Sequence, residues 1–263
     1  MASSHSIKVL KGPRQAGKTS LLVRLGGYTF VSLDDIHQRA LAQEDPVFFL
    51  DQFTGKILLD EATLVPALFP ELKRRADAFK AARLAGKKDH APFDVWITGS
   101  NQTLLQKSVR ESLAGRASYF DLNTLSLHEM PKAPLADFFM KGGWPELHAN
   151  VALDAKRYLD DLISTFIEKD IVVAAGIERK AAFLKATALA AGRVGQLFNA
   201  SDIARNTGVE TTTVQSWMQI LQDNGIVRLL QPYFNNRSQR FIKTPKIYFQ
   251  DTGLATRLQG WSE

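Results

Sequence analysis

A lysine inside a glycine-framed loop and a carboxylate pair at the end of an apolar run are the residues here whose types and spacing suit phosphate chemistry. The stretch KGPRQAGKTS, Lys11 to Ser20, follows the apolar IKVL and precedes the helical pattern TSLLVRLGG; Gly12, Gly17, Lys18 and Thr19 fit G-x-x-x-x-G-K-S/T. Glycines let the backbone turn so that successive N–H groups point at a phosphate, and the lysine charge reaches the outer phosphates. Gly12, Pro13, Arg14, Gln15, Ala16, Gly17, Lys18, Thr19 and Ser20 are therefore expected to hold a nucleotide, with the Thr19 hydroxyl offered to a magnesium ion. The competing reading is a chance glycine-rich turn, and the strand before it and the helix after it weigh against that.

About forty residues on comes KILLDEA, in which Ile57, Leu58 and Leu59 form an apolar run ending in Asp60 and Glu61. A buried parallel strand reads as a continuous apolar run, and carboxylates at its C-terminal end emerge beside a phosphate-binding loop. This is a Walker B arrangement. Asp60 is expected to hold magnesium and Glu61 to orient or polarise the attacking water. A third run, FDVWITGSN from Phe93, ends in Thr98, Ser100 and Asn101. Its tip is expected between the two Walker elements, with Asn101, or in second place Ser100, near the gamma-phosphate or the water; the alternative is a loop cap.

The elements that must position these groups follow from the remaining pattern. YTFVSLDD from Tyr28 and ASYFDLNTL from Ala117 complete the apolar strand set, so strands alternate with helices over the first ~125 residues. The expected fold is an α/β P-loop parallel sheet with helices on both faces (1–125), then a helical lid or connector (126–194), then a winged helix (195–263). PKAP at Pro131 to Pro134 marks the first boundary, and YLDDLISTFIEKDIVVA and AAFLKATALAAG read at helical period. GGWPEL is expected to set a turn, with no chemistry assigned.

From Leu197 the chain reads LFNASDIARNTGVETTTVQSWMQILQDNGIV, a helix-turn-helix pattern with Gly208 in the turn. IVRLLQPYF and RFIKTPKIYFQ, joined by a polar NNRSQ, read as a hairpin wing. Thr212 and Gln215 on the second helix and Arg237, Arg240, Lys243 and Lys246 in the wing are the candidate nucleic-acid contacts. Winged helices also dock proteins, and TTTVQSWMQILQ carries no arginine or lysine.

Composition sets outer bounds. The 263 residues, 45% hydrophobic and 23% charged, suit one large or two smaller globular domains. The absence of cysteine rules out disulfides, thiolate zinc sites and a cysteine nucleophile. The five histidines lack metal spacing such as H-E-x-x-H. No stretch reads as a signal peptide or membrane span, so a cytoplasmic location is expected. A formal charge of +6 is compatible with nucleic acid without demanding it.

GPRQAGKTSLL, YTFVSLDD, LLDEATLVPALFPELKRRAD, ITGSNQTLL, ESLAGRA, GGWPEL and TPKIYFQDTGLA, in this order, resemble a widespread group of prokaryotic AAA-type ATPases. Members typically join a P-loop ATPase domain to a winged helix and then to a nuclease-like C-terminal domain of unknown function. The resemblance covers nearly the whole chain and implies ATP and Mg2+ as ligands, with DNA, a partner protein or further copies of the chain as partners. The chain stops soon after DTGLATRLQG, where the nuclease-like domain would begin, so nuclease activity is not carried over. Ala62 and Thr63 stand where relatives usually carry Ile-Gln. In AAA-type assemblies an arginine from a neighbour neutralises charge on the gamma-phosphate. Arg116 in ESLAGRA is similar in position to such fingers, with Arg110 as the substitute. The competing role for Arg116 is pairing with its own domain's acids or with the helix C-terminus.

Overall fold

The computed structural model describes residues 5–86, 93–99, 105, 112–130, 132–233 and 244–261. The chain divides into two compact units, Met1–Leu122 and Asn123–Glu263.

The first unit is built on a five-stranded sheet of β1 (Ile7–Lys11), β2 (Thr29–Ser32), β3 (Lys56–Asp60), β4 (Asp94–Thr98) and β5 (Ala117–Asp121), in the order β2-β3-β4-β1-β5. All four pairings are parallel. The central strands are apolar because both of their faces are covered. Ile57 and Leu59 of β3 enter the larger core cluster with Ile7, Val9, Val95 and Ile97, while Leu58 enters a smaller one with Leu10, Leu22 and Trp96. On the first face lie helices Ile36–Glu44, Pro46–Asp51 and Leu68–Leu84, contributing Ala42, Phe49, Phe69 and Leu72. The second face receives the helix Lys18–Arg24 through Leu22. Each buried leucine or phenylalanine among these contributes roughly 1.5–3 kcal/mol. The helix starts are fixed locally: the Asp35 carboxylate accepts from the Gln38 amide and that of Asp45 from the Phe48 amide, each at 2.9 Å.

The helical stretch 126–194 and the segment 195–263, expected as separate parts, share one core in the second unit. Trp144, Phe166 and Phe183 pack in a single cluster with Ile203, Trp217 and Leu254. Phe183 and Trp217 meet edge to face, ring centroids 5.5 Å apart. The helix Ala155–Leu162 runs on as a π-helix over Ile163–Ile171, a form found mostly as single turns. Helices Ala200–Thr207 and Thr211–Asp223 are joined through Gly208, whose φ of 67° is the left-handed conformation the turn requires. β6 (Val227–Leu230) and β7 (Lys246–Phe249) then pair antiparallel, and the helix Thr252–Leu258 follows.

GGWPEL has a partner at the far end of this unit. The buried Asp251 carboxylate accepts from the Gly143 amide at 2.8 Å, the Trp144 indole N–H at 3.1 Å and the Leu254 amide at 2.9 Å. A Cβ on Gly143 would lie 1.9 Å from the Leu125 carbonyl oxygen, so only glycine permits the approach. Burial raises the Asp251 pKa, against the opposing effect of these donors.

Candidate nucleotide site

The loop after β1 and the C-terminal ends of β3 and β4 converge on one carboxylate. Gln15, with φ 62°, and Gly17, with φ 89°, turn the loop, while Pro13 and Ala16 are buried beneath it and Arg14, Gln15 and Ser20 are exposed. Gly12 passes so close to the chain after β5 that a Cβ there would lie 2.2 Å from the Leu122 carbonyl oxygen. Lys18, at the start of its helix, is 7% exposed, and its ammonium donates to the carbonyls of Gly12 at 2.9 Å and Pro13 at 2.8 Å. Desolvation lowers the Lys18 pKa, while Glu61 and then Asp60 act to raise it.

Thr19 Oγ1 donates to both Asp60 carboxylate oxygens at 3.0 Å. Asp60 is 8% exposed and also accepts from the Thr98 hydroxyl at the end of β4. The Glu61 amide donates to that same hydroxyl oxygen at 3.3 Å. Glu61 stands at φ 55°, left-handed backbone that a non-glycine residue rarely adopts.

This set fits the groups its sequence suggests. A buried ammonium beneath a glycine-bearing turn suits a polyphosphate. One hydroxyl and one carboxylate, hard oxygen donors in contact, suit magnesium, which is held by few protein ligands. Among the described residues no group of three or more histidines and carboxylates is placed to hold a metal ion.

The structure thus brings together Lys18, Thr19, Asp60 and Glu61. It adds Thr98, whose role the sequence reading missed. The signal was available: a hydroxyl residue closing the apolar run of a strand flanked on both sides by buried strands. Ser100, Asn101 and Arg110 lie outside the described residues.

Arg116 stands apart from this group. It precedes β5, which pairs with β1 in the register Ile7↔Ala117 to Lys11↔Asp121, so Arg116 sits at the end of the sheet opposite the loop. Five residues of strand separate the two ends by roughly 16 Å. Its guanidinium donates to Asp77 at 3.0 and 3.2 Å and to the Ala114 carbonyl at 2.8 Å. That hydrogen-bonded pairing holds the Asp77 carboxyl below its usual range.

Of the candidate nucleic-acid contacts, Thr212 and Gln215 are exposed on the helix Thr211–Asp223, and Lys246 is exposed as the first residue of β7. Gln215 and Thr211 line a cavity of about 590 Å³ with Asn199, Ser201 and Thr244. Arg237, Arg240 and Lys243 lie outside the described residues.

Residues 4–131 match the AAA domain family, and residues 133–263 match a domain of unknown function, DUF8612. Over this N-terminal match the chain is similar to the AAA domain family, in keeping with its parallel α/β sheet. Over 260 residues the chain is 34% identical to uncharacterized protein Rv2008c of Mycobacterium tuberculosis and to uncharacterized protein Mb2031c of Mycobacterium bovis. The alignment takes in 97% of this chain and 56% of each relative, so the chain spans little more than half the length of these curated relatives. Among solved structures, the Walker-type ATPase PABY2304 of Pyrococcus abyssi aligns over 97% of this chain and 91% of its own, with TM-score 0.53 and 15% identity, a likeness of fold. Among the described residues, no helix is long and apolar enough to cross a membrane.

Proposed function

We propose that the chain binds and hydrolyses Mg-ATP and couples this cycle to a C-terminal winged helix that contacts DNA. The observation that carries the reading is the meeting of Thr19 and Asp60 at 3.0 Å beside a buried Lys18. Lys18 supplies positive charge to the outer phosphates, and its present carbonyl acceptors hold it within the loop. Thr19 and Asp60 are the residues that would hold magnesium, which when bound neutralises phosphate charge. Glu61 orients a water and accepts its proton as the water oxygen bonds to the terminal phosphorus and the bond to the ADP oxygen breaks.

Arg116 cannot serve the loop of its own chain from the opposite end of the sheet. In this reading it acts on the nucleotide of a neighbouring copy and exchanges Asp77 for phosphate.

The winged helix comprises Ala200–Thr207, Thr211–Asp223 and the β6–β7 pair, with phosphate contacts from wing cations including Lys246. A second reading has its own support: Leu197, Leu230 and Tyr233 are 61%, 48% and 82% exposed beside Lys246. Such an apolar surface favours a slow ATP-dependent switch that docks a partner protein. Phosphate release measured with and without duplex DNA separates the two. Turnover that Glu61→Gln abolishes and DNA changes supports the first. Tight ATP binding with negligible turnover, indifferent to DNA, supports the second.

A further inference from the structure

Thr98 is given no step in the mechanism proposed above, yet it is fully buried and its hydroxyl is committed at both ends. The hydrogen goes to Asp60 and a lone pair receives the Glu61 amide. Thr19 reaches the same carboxylate from the phosphate loop. Two hydroxyls on different elements therefore fix one carboxylate, and one of them also fixes the next peptide.

That next peptide is the strained one. Glu61 adopts φ 55°, ψ 38° without being glycine. Such conformers persist only where the surroundings hold them. The Thr98 oxygen is an acceptor for the amide of that residue. As a β-branched residue Thr98 is restricted about χ1, which limits the directions its hydroxyl can take, and its two hydrogen-bond partners select among them.

We propose that Thr98 is a positioning residue that sets the Asp60 carboxylate for magnesium and the Glu61 backbone for water activation in one step. This rests on the nucleotide-site reading and adds to it a residue that touches neither phosphate nor water. β4 lies between β1 and β3, so its last residue can reach the carboxylate that the phosphate loop also touches.

Thr98→Val keeps the shape and strand preference and removes the hydroxyl; Thr98→Ser keeps the hydroxyl. ATP affinity is measured by calorimetry on the full chain in EDTA and then across a magnesium titration, with phosphate release and thermal melting alongside. For Thr98→Val the expected results are ATP affinity in EDTA within about twofold of the parent, magnesium half-effect raised about tenfold, and kcat lowered about tenfold at saturating magnesium with KM little changed. Thr98→Ser should restore both. Thr98→Ala, also lacking the hydroxyl, should give the same split and keeps the test open if the valine variant does not fold. Parental magnesium response and kcat in folded Thr98→Val or Thr98→Ala overturn the proposal, as does a folded serine variant that fails like valine. A parent chain that binds no ATP overturns the nucleotide reading itself, a result distinct from either.

Discussion

Thr19 Oγ1 lies 3.0 Å from both carboxylate oxygens of Asp60, joining the loop after β1 to the end of β3 across the intervening β4. An amide in place of that carboxylate keeps one acceptor and loses the charge. Asp60→Asn should therefore leave ATP affinity in EDTA near that of the parent and weaken the magnesium-dependent gain by about tenfold or more. Calorimetry in EDTA and in magnesium reads both. An equal gain in the two proteins would remove Asp60 from the metal site.

Arg116 and Asp77 give a different kind of prediction, because the pair lies away from the loop. Mixing Arg116→Ala with Lys18→Ala subunits should restore activity that each variant lacks, since a mixed assembly combines one intact pocket with one intact arginine. Confirmed mixed oligomers without recovery would leave the arginine structural. The pairing also has a pH signature. Asp77 is held below its ordinary value, so its contribution is present above that ordinary value and is lost as pH falls through the depressed one. The stability difference between the parent and Arg116→Ala should shrink over that acid range, read by denaturant unfolding at several pH values.

On DNA, the wing should act through phosphates. Each neutralised phosphate contributes about 0.9 to the salt slope on duplex DNA. Replacing exposed Lys246 by alanine should lower the slope by about one, and replacing Arg237 and Arg240 together by about two, with all sequences weakened alike. Fluorescence titrations over a range of salt test this. Binding with an unchanged slope would favour the protein-docking reading.

Asp251 and Tyr158 predict opposite signs within the second unit. Asp251→Ala strips the acceptor from the Gly143 amide, the Trp144 indole and the Leu254 amide, at a cost of about 3 kcal/mol or more. The Tyr158 hydroxyl is buried without a hydrogen-bond partner among the described residues, and burial, with Glu146 and Asp251 adding, pushes its pKa up to about 12. Tyr158→Phe should therefore be neutral or stabilising by about 1 kcal/mol. Thermal melts decide both; a strongly destabilised phenylalanine variant would mean that the hydroxyl has a partner.

These contacts show what local pattern can and cannot carry. The apolar runs of β1, β3 and β4 were legible because central parallel strands are buried on both faces, and the glycines, lysine and carboxylates followed from the turn and strand end they occupy. Thr98 was passed over for later polar residues because strand register decides which hydroxyl reaches Asp60, and register is a pairing between distant segments. The same limit hid the partner of GGWPEL: Asp251 lies 108 positions beyond Gly143, and nothing in either segment names the other. Arg116 likewise finds Asp77 39 positions away. The division into connector and winged helix followed changes in local period, whereas the shared core of Phe183 and Trp217 depends on tertiary packing.

The central claim is that Lys18 delivers its charge to a bound polyphosphate, and titration calorimetry of Mg-ATP into the parent and Lys18→Ala tests it most directly. Lys18 is buried and bonded to the Gly12 and Pro13 carbonyls, so alanine removes the charge without disturbing a partner acid in direct contact. A charge-assisted bond to phosphate is about twice as strong as a neutral one. The expected result is saturable binding to the parent, weakened by about tenfold or more in a Lys18→Ala protein that melts as the parent does. Equal affinity in the two folded proteins would contradict the account.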